Sequence, residues 1–358
     1  YAKIFRNVFV RAGMSEEDIL AKGPATRLYK NRVYELPEFE IIKAGYEIES
    51  NDGFIFETYL TDSTDSVGCT PNPYDKDEIK DNALELLRYG GSPIGNSRVK
   101  LTNVEDCINK GYVMDGEDPL KVAADQLIAD KINILHTIGG DDTNTMAATL
   151  SQFLNNNGYD LTVVGLPKTV DNDVYPLVQT LGAWTAAEQS SLFFQNIVNE
   201  NTTCSRQLII HEVMGRNCGW LTAYSAKEYR NSLKNKKFIP EILIEKKRWD
   251  IDAIFIPELK MDFDHECDRL KKRMDDKDCI NIFLSEGAGT DTILSEMESK
   301  NQKVERDAFG HVALDSLNPG QWFAKEFSKK LKADKTLVQK SGYFARSAAP
   351  GERDLKLI

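Results

Sequence analysis

From about residue 130 onward, short apolar runs alternate with longer amphipathic stretches. INILHTI, LTVVGLP, QLIIHEV, AIFIPEL, INIFLSEG and TLVQKSG each end near a Gly, Pro or charged residue, which predicts strands. The intervening segments have helical spacing. In TMAATLSQFLNNNG, Met146, Leu150, Phe153 and Leu154 fall on one face and Gly158 closes the end. This alternation predicts βαβ units with a largely parallel sheet, an α/β fold in which ligands bind beyond the carboxyl ends of the strands. The polar groups GGDDT, PKTVDND, EVMGR and PEL all sit at such ends.

The first 80 residues are harder to read. EFEIIKAGYEI and FIFETYL are candidate strands, and TDSTDSVGCTPNPYDKDE is a turn-rich loop. KNKKF and EKKRW are expected to be solvated basic loops, and no repeat or heptad array is present. A length of 358 residues predicts two domains, or one large α/β domain with insertions.

Composition narrows the function classes. The formal net charge of −11 disfavours a broad nucleic-acid or anionic-membrane surface, although converging Arg and Lys can still hold a small anion. No apolar run approaches the roughly 18 residues of a membrane span, and no signal-peptide core is seen, so the expectation is a cytoplasmic protein. The six cysteines form no C-x-x-C pair and are expected to be reduced thiols.

Five stretches carry candidate chemistry. In HTIGGDDTNT (136–145), Gly139 and Gly140 end a strand, Asp141 and Asp142 follow, and Thr143 or Asn144 is available to cap the next helix. Amides at such a turn favour an anion, yet the same residues make an ordinary strand-to-helix turn. PKTVDND (167–173) gathers Lys168, Thr169, Asp171 and Asp173 just past a strand, either as a plain turn or as a general base with its supporting acid. GGSPIGNSRVK is a second glycine-bearing loop, and it delivers Arg98 and Lys100. A guanidinium matches phosphate oxygens in a fork. EVMGRNCGW brings Met214, Gly215 and Arg216 to a strand end, and QKSGYFARS brings Tyr343 and Arg346.

Taken in order, GGSPIGNSRVK, GGDDT, PKTVDND, EVMGRNCGW, PEL, SEGAG and GYFARS resemble the phosphofructokinase family, over roughly Asn82 to the C-terminus. The chain is similar in particular to the pyrophosphate-dependent branch, which also carries RDAFGHV and NPG. The resemblance implies two Rossmann-like lobes with mainly parallel sheets: a donor lobe at 1–182 with 346–358, and a sugar-phosphate lobe at 183–345. It implies Mg²⁺-dependent, reversible phosphoryl transfer from pyrophosphate to the 1-hydroxyl of fructose 6-phosphate, by a homodimer or homotetramer.

The resemblance also implies roles. Asp171 is the base, Asp173 supports it, and Thr169 touches the transferring phosphoryl group. Asp141 holds Mg²⁺ through water, Gly139 and Gly140 admit the donor, and Arg98 with Lys100 neutralises its phosphates. Met214, Gly215, Arg216, Glu258, Tyr343 and Arg346 form the sugar-phosphate pocket. In the ATP-using branch, glycines stand where this chain has Asp142 and Lys168. Asp142 thus fills the α-phosphate space, and Lys168 is a cation for both Asp142 and pyrophosphate. Like unit charges about 4 Å apart repel by about 4 kcal/mol at an effective dielectric of 20, a penalty that falls on ATP.

No paired glycine occurs before Gly90 to serve as the family's first phosphate loop. That leaves a second reading, a non-catalytic or regulatory subunit that binds sugar phosphate. A nucleotide-binding oxidoreductase is disfavoured by the lack of G-x-G-x-x-G after a first strand.

Overall fold

The computed structural model describes residues 26–29, 32–35, 99–130, 132–299 and 317–357. The candidate strands EFEIIKAGYEI and FIFETYL, Arg98, Cys69 and RDAFGHV lie outside these residues. The chain divides into two compact units, Tyr1–Leu166 and Pro167–Ile358.

In the first unit, β1 (Thr26–Tyr29) pairs antiparallel with β2 (Arg32–Glu35). Two capped helices follow. Asn103 caps α1 (Val104–Asn109) by accepting from the Asp106 amide, and Asp118 caps α2 (Pro119–Ala129) by accepting from the Leu120 amide, with Pro119 at the first helical position. Next come β3 (Ile134–Gly139), α3 (Asp141–Asn156) and β4 (Thr162–Pro167), with β3 and β4 neighbours in a two-stranded sheet. The helical face read from the sequence is the one that packs. Leu150 and Leu154 are buried against Ala124, Leu127, Leu135 and Leu161, with Phe153 beside them.

The second unit is built on a parallel sheet of order β6-β7-β5-β8. β5 (Gln207–Val213) and β7 (Cys279–Ser285) are buried at every position, and β6 (Ala253–Phe255) and β8 (Lys335–Lys340) flank them. Burial on both faces explains why these strands read as nearly continuous apolar runs. Alternate residues serve opposite faces. Leu208 and Ile210, with Ile280 and Ile282, pack against α7 (Phe263–Lys277) and α9 (Pro319–Leu331) through Leu270, Met274, Phe323 and Phe327. Ile209, Val213 and Phe283 face α4 (Ala183–Ile197) and α5 (Trp220–Ser232) through Phe194, Leu221 and Tyr229.

α6 (Lys246–Trp249) precedes β6, α7 lies between β6 and β7, and α8 (Thr290–Ser299) follows β7; α10 (Gly342–Arg346) and α11 (Glu352–Leu355) follow β8. β6 is shorter than AIFIPEL suggested, because Pro257 has no amide hydrogen and restricts Ile256 before it. The five described cysteines are free thiols. No helix among the described residues is long and apolar enough to cross a membrane.

A long-range cap holds the start of α4. Gly182, at φ +96°, offers no side chain to the helix terminus. Asp354 of α11 supplies the missing acceptor: it is fully buried and takes the Gly182 amide at 3.0 Å, the Thr185 amide at 2.7 Å and the Thr185 hydroxyl at 2.5 Å. Asp354→Ala strands three donors, so the expected loss of stability is about 2–3 kcal/mol. Asp354→Asn, which keeps one acceptor, loses less. Urea unfolding of the two variants checks the order.

Candidate active site

In the first unit, β3 ends at Gly139 and α3 begins at Asp141, so the GGDD segment is the strand-to-helix turn expected from the sequence. The capping differs from expectation. Gly140 is the N-cap, and neither Thr143 nor Asn144 caps the helix. Instead the Asn144 amide turns back and donates to the carbonyls of Gly139 at 2.9 Å and Gly140 at 2.8 Å. Thr143 fills the space that a side chain on residue 139 would need, so Gly139 is required by packing.

This arrangement leaves the first-turn amides of α3 facing outward beside two exposed carboxylates, Asp141 and Asp142. Lys100 precedes α1, its carbonyl accepting from the Asn103 amide at 2.9 Å.

The second unit holds the PKTVDND loop, which closes on itself. The Pro167 carbonyl accepts from the Leu181 amide at 3.0 Å, and Lys168 bridges Leu181. Within the loop, Asn172 sits at φ +56°, a left-handed conformation that Asn tolerates better than most residues. Its side-chain oxygen accepts from the Thr180 amide at 2.8 Å and its amide donates to the Val178 carbonyl at 3.2 Å. Thr180 in turn donates to the Thr169 carbonyl at 2.8 Å. The middle residue of DND is therefore a latch that pins the loop between the two flanking acids. Sequence reasoning missed this role.

Thr169 is poised to donate. Its hydroxyl oxygen accepts from the Asp171 amide at 3.2 Å, which leaves the hydroxyl proton for another acceptor.

The acids and arginines converge electrostatically. Asp171 is half-buried, and desolvation, reinforced by the Asp173 charge, raises its pKa to about 6 against the opposing pull of Arg346 and Arg216. The ammonium of Lys168 is depressed by desolvation and by the Arg346 charge. Arg346 lies 6.0 Å from the centre of the exposed Tyr343 ring. Five of the residues singled out from sequence, Lys168, Asp171, Asp173, Arg216 and Arg346, thus share one electrostatic neighbourhood.

The MGR segment is held by its surroundings. Gly215, at φ +130°, has no room for a side chain because the Cys218 carbonyl occupies the space. Glu258 is aimed by its own contact, accepting from the Gly219 amide at 2.7 Å through Oε1. Glu212, the buried acid one residue before the end of β5, pairs with Lys340 at 2.8 Å and accepts from the Gly320 amide at 2.9 Å. A side chain on residue 320 would collide with that carboxylate, so NPG serves to accommodate Glu212.

A family model described as Phosphofructokinase matches residues 68–357. The chain belongs to the phosphofructokinase family. Among curated relatives, the pyrophosphate--fructose 6-phosphate 1-phosphotransferase of Methylotuvimicrobium alcaliphilum is 56% identical over 294 residues, covering 82% of this chain and 70% of the relative. The protein of the same name from Methylomonas methanica is 58% identical over 281 residues, covering 78% and 69%. Among solved structures, a pyrophosphate-dependent phosphofructokinase from Marinobacter aquaeolei superposes with a TM-score of 0.52 at 19% identity, over 80% of this chain and 58% of that one. The last likeness concerns the fold, and the chain spans less than two thirds of that solved chain. For a phosphofructokinase, the site residues above fall at strand ends, where an α/β sheet presents its ligands.

Proposed function

We propose that this chain catalyses reversible phosphoryl transfer from pyrophosphate to the 1-hydroxyl of fructose 6-phosphate, giving fructose 1,6-bisphosphate and phosphate, with Asp171 as the base. The observation that carries the reading is the placement of Asp171: a half-buried carboxyl beside Asp173 and within the fields of Arg216 and Arg346. A carboxyl with a pKa of about 6 is still about nine-tenths ionised at pH 7, yet accepts a proton more readily than an ordinary aspartate.

Asp171 takes the hydroxyl proton as the sugar oxygen bonds to phosphorus, and the bond from that phosphorus to the leaving phosphate breaks. The Thr169 hydroxyl donates a hydrogen bond to the transferring group and keeps its proton. Lys168, Arg98 and Lys100 offset the donor's charge. Arg216 and Arg346 grip the sugar's 6-phosphate, with Tyr343 and Met214 alongside, and Glu258 accepts from sugar hydroxyls. Such catalysis rests on positioning and charge neutralisation.

The acids of the first unit suit a hard divalent cation. Mg²⁺ is usually held by one or two carboxylates together with waters and substrate phosphates. The exposed carboxylate of Asp141 fits that use as one such ligand. Asp141 would hold the ion, which would supply neutralisation of charge on the phosphates. In this reading residues 1–182 with 346–358 form the donor lobe and 183–345 the sugar-phosphate lobe, with Arg346 nonetheless serving the sugar phosphate, and the enzyme is a cytoplasmic homodimer or homotetramer.

The direct test is an assay of the purified protein with Mg²⁺, fructose 6-phosphate and either pyrophosphate or ATP. Turnover with pyrophosphate is expected. Binding of the sugar phosphate with no turnover from either donor would favour a regulatory subunit instead. For the sugar pocket, Arg216→Ala and Arg346→Ala are each expected to raise the KM for fructose 6-phosphate by about tenfold or more, the cost of a lost charge-assisted contact, with little change for pyrophosphate. Parallel rises for both substrates would place these arginines elsewhere.

A further inference from the structure

The SEGAG segment was singled out in sequence, and the catalytic scheme leaves it without a task. It forms the turn after β7, Ser285 to Gly289, and it lies directly against the MGR segment. The Ser285 hydroxyl, fully buried, donates to the Gly215 carbonyl at 2.6 Å. The Glu286 carboxylate accepts from the Gly215 amide at 3.2 Å. The Glu286 amide reaches back to the Val213 carbonyl at 2.9 Å. Gly287 then passes so close to the Arg216 carbonyl that a side chain there would overlap it. Both polar groups of Gly215 are thus taken by adjacent side chains of one turn, at a residue whose backbone conformation only glycine adopts readily.

We propose that this turn is a positioning clamp for the sugar-phosphate site, in which Glu286 and Ser285 fix the Gly215 peptide and thereby aim Arg216. The inference rests on the sugar-pocket reading of Arg216 given above. Gly215 would otherwise sample a wide range of conformations, and each would carry the neighbouring guanidinium to a different place. Fixing it before the ligand arrives removes that ordering cost from binding.

Glu286 also has an electrostatic consequence for the base. The charged groups facing it are Asp171, Glu212 and Arg216, and burial raises its own pKa to about 6. Asp171 in turn faces Asp173, Arg346 and Arg216, and Cys218 senses both acids. The Asp171 charge contributes to the raised pKa of Glu286, so removing the Glu286 charge bears on the acid limb that Asp171 sets.

The test uses direct binding of fructose 6-phosphate by titration calorimetry, which needs no turnover, together with steady-state kinetics. Glu286→Ala strands the Gly215 amide and is expected to weaken sugar-phosphate binding about tenfold or more, with the KM for pyrophosphate within about threefold. Glu286→Gln keeps an acceptor of the same shape and is expected to restore binding to within about threefold of the parent. Losing a negative charge beside Asp171 must favour its ionised form, so in Glu286→Gln the acid limb of kcat/KM moves to lower pH. Ser285→Ala is expected to weaken binding in the same sense as Glu286→Ala.

Unchanged binding in Glu286→Ala and Ser285→Ala overturns the clamp. So does an equal loss for both substrates, or failure of Glu286→Gln to rescue binding. Should Glu286→Ala not fold, Glu286→Gln and Ser285→Ala decide the matter through the acid limb and the binding constant. Failure of the catalytic reading looks different, since Arg216→Ala would then bind fructose 6-phosphate as tightly as the parent.

Discussion

Asp171→Asn lowers kcat by about a hundredfold or more while fructose 6-phosphate binds within about threefold of the parent protein. The amide preserves shape but has no useful basicity, so the loss falls on the proton-transfer step. Sugar-phosphate affinity survives because the charges that would hold the 6-phosphate come from Arg216 and Arg346. In the parent, kcat/KM falls as pH drops through about 6, where Asp171 becomes protonated. The variant's residual rate loses that dependence, apart from what Glu286 contributes. Rate measurements from pH 5 to 8 on both proteins check the two statements together, and near-normal turnover in the variant would put the base elsewhere.

Asp142→Gly is expected to raise the ratio of ATP to pyrophosphate use, measured as kcat/KM, by one to three decades. The range follows from the local dielectric. Charge repulsion of about 4 kcal/mol at 4 Å holds for an effective dielectric of 20, and it falls to about 1 kcal/mol in bulk water. Asp142 is exposed at the start of α3, which pulls the electrostatic part toward the lower figure. Removing the side chain also vacates space, an effect that water does not screen. Lys168→Gly acts differently, since it removes a cation: pyrophosphate turnover falls and ATP is not admitted. Kinetics with both donors, for each single change and for the pair, separate volume from charge. No gain with ATP and no loss with pyrophosphate in Asp142→Gly would return the paired acids to a metal ligand and a helix terminus.

The parts of the molecule legible in sequence are those in which local pattern and global role coincide. All six apolar runs named from sequence contain strands; in β5 and β7, buried on both faces, no polar alternation obscures the run, while β3, β4 and β8 keep exposed positions and are marked by the Gly, Pro or charged residue that ends them. The placement of Asp171, Arg216 and Glu258 just beyond strand ends was also legible, because the end of each apolar run marks where the strand stops. What escaped notice depends on distant partners. Nothing in ERDL marks Asp354 as the cap of a helix that begins at Ala183. Glu286 looks like any acid in a glycine-rich turn until Gly215 is placed against it. Asn172 was hidden between two more conspicuous acids, and its left-handed backbone carries no signal beyond the residue type. The reading of Thr143 and Asn144 as caps failed because the helix starts earlier than the sequence suggests: Gly140 is its N-cap, and both residues lie inside its first turns.

The reach of the Asp354 contact also sets a timetable for synthesis. Gly182 and Asp354 are 172 positions apart, so at about 5–20 residues per second the start of α4 waits roughly 10–35 s on the ribosome for its acceptor. Through most of that interval β5 waits too, since its neighbours β7 and β8 are both made later. The nascent chain therefore carries an apolar strand with open edges beside an uncapped helix, a state prone to pairing with other chains. The yield of the second unit in a cell should therefore be more sensitive to elongation speed and to chaperone supply than the stability of the finished fold would suggest.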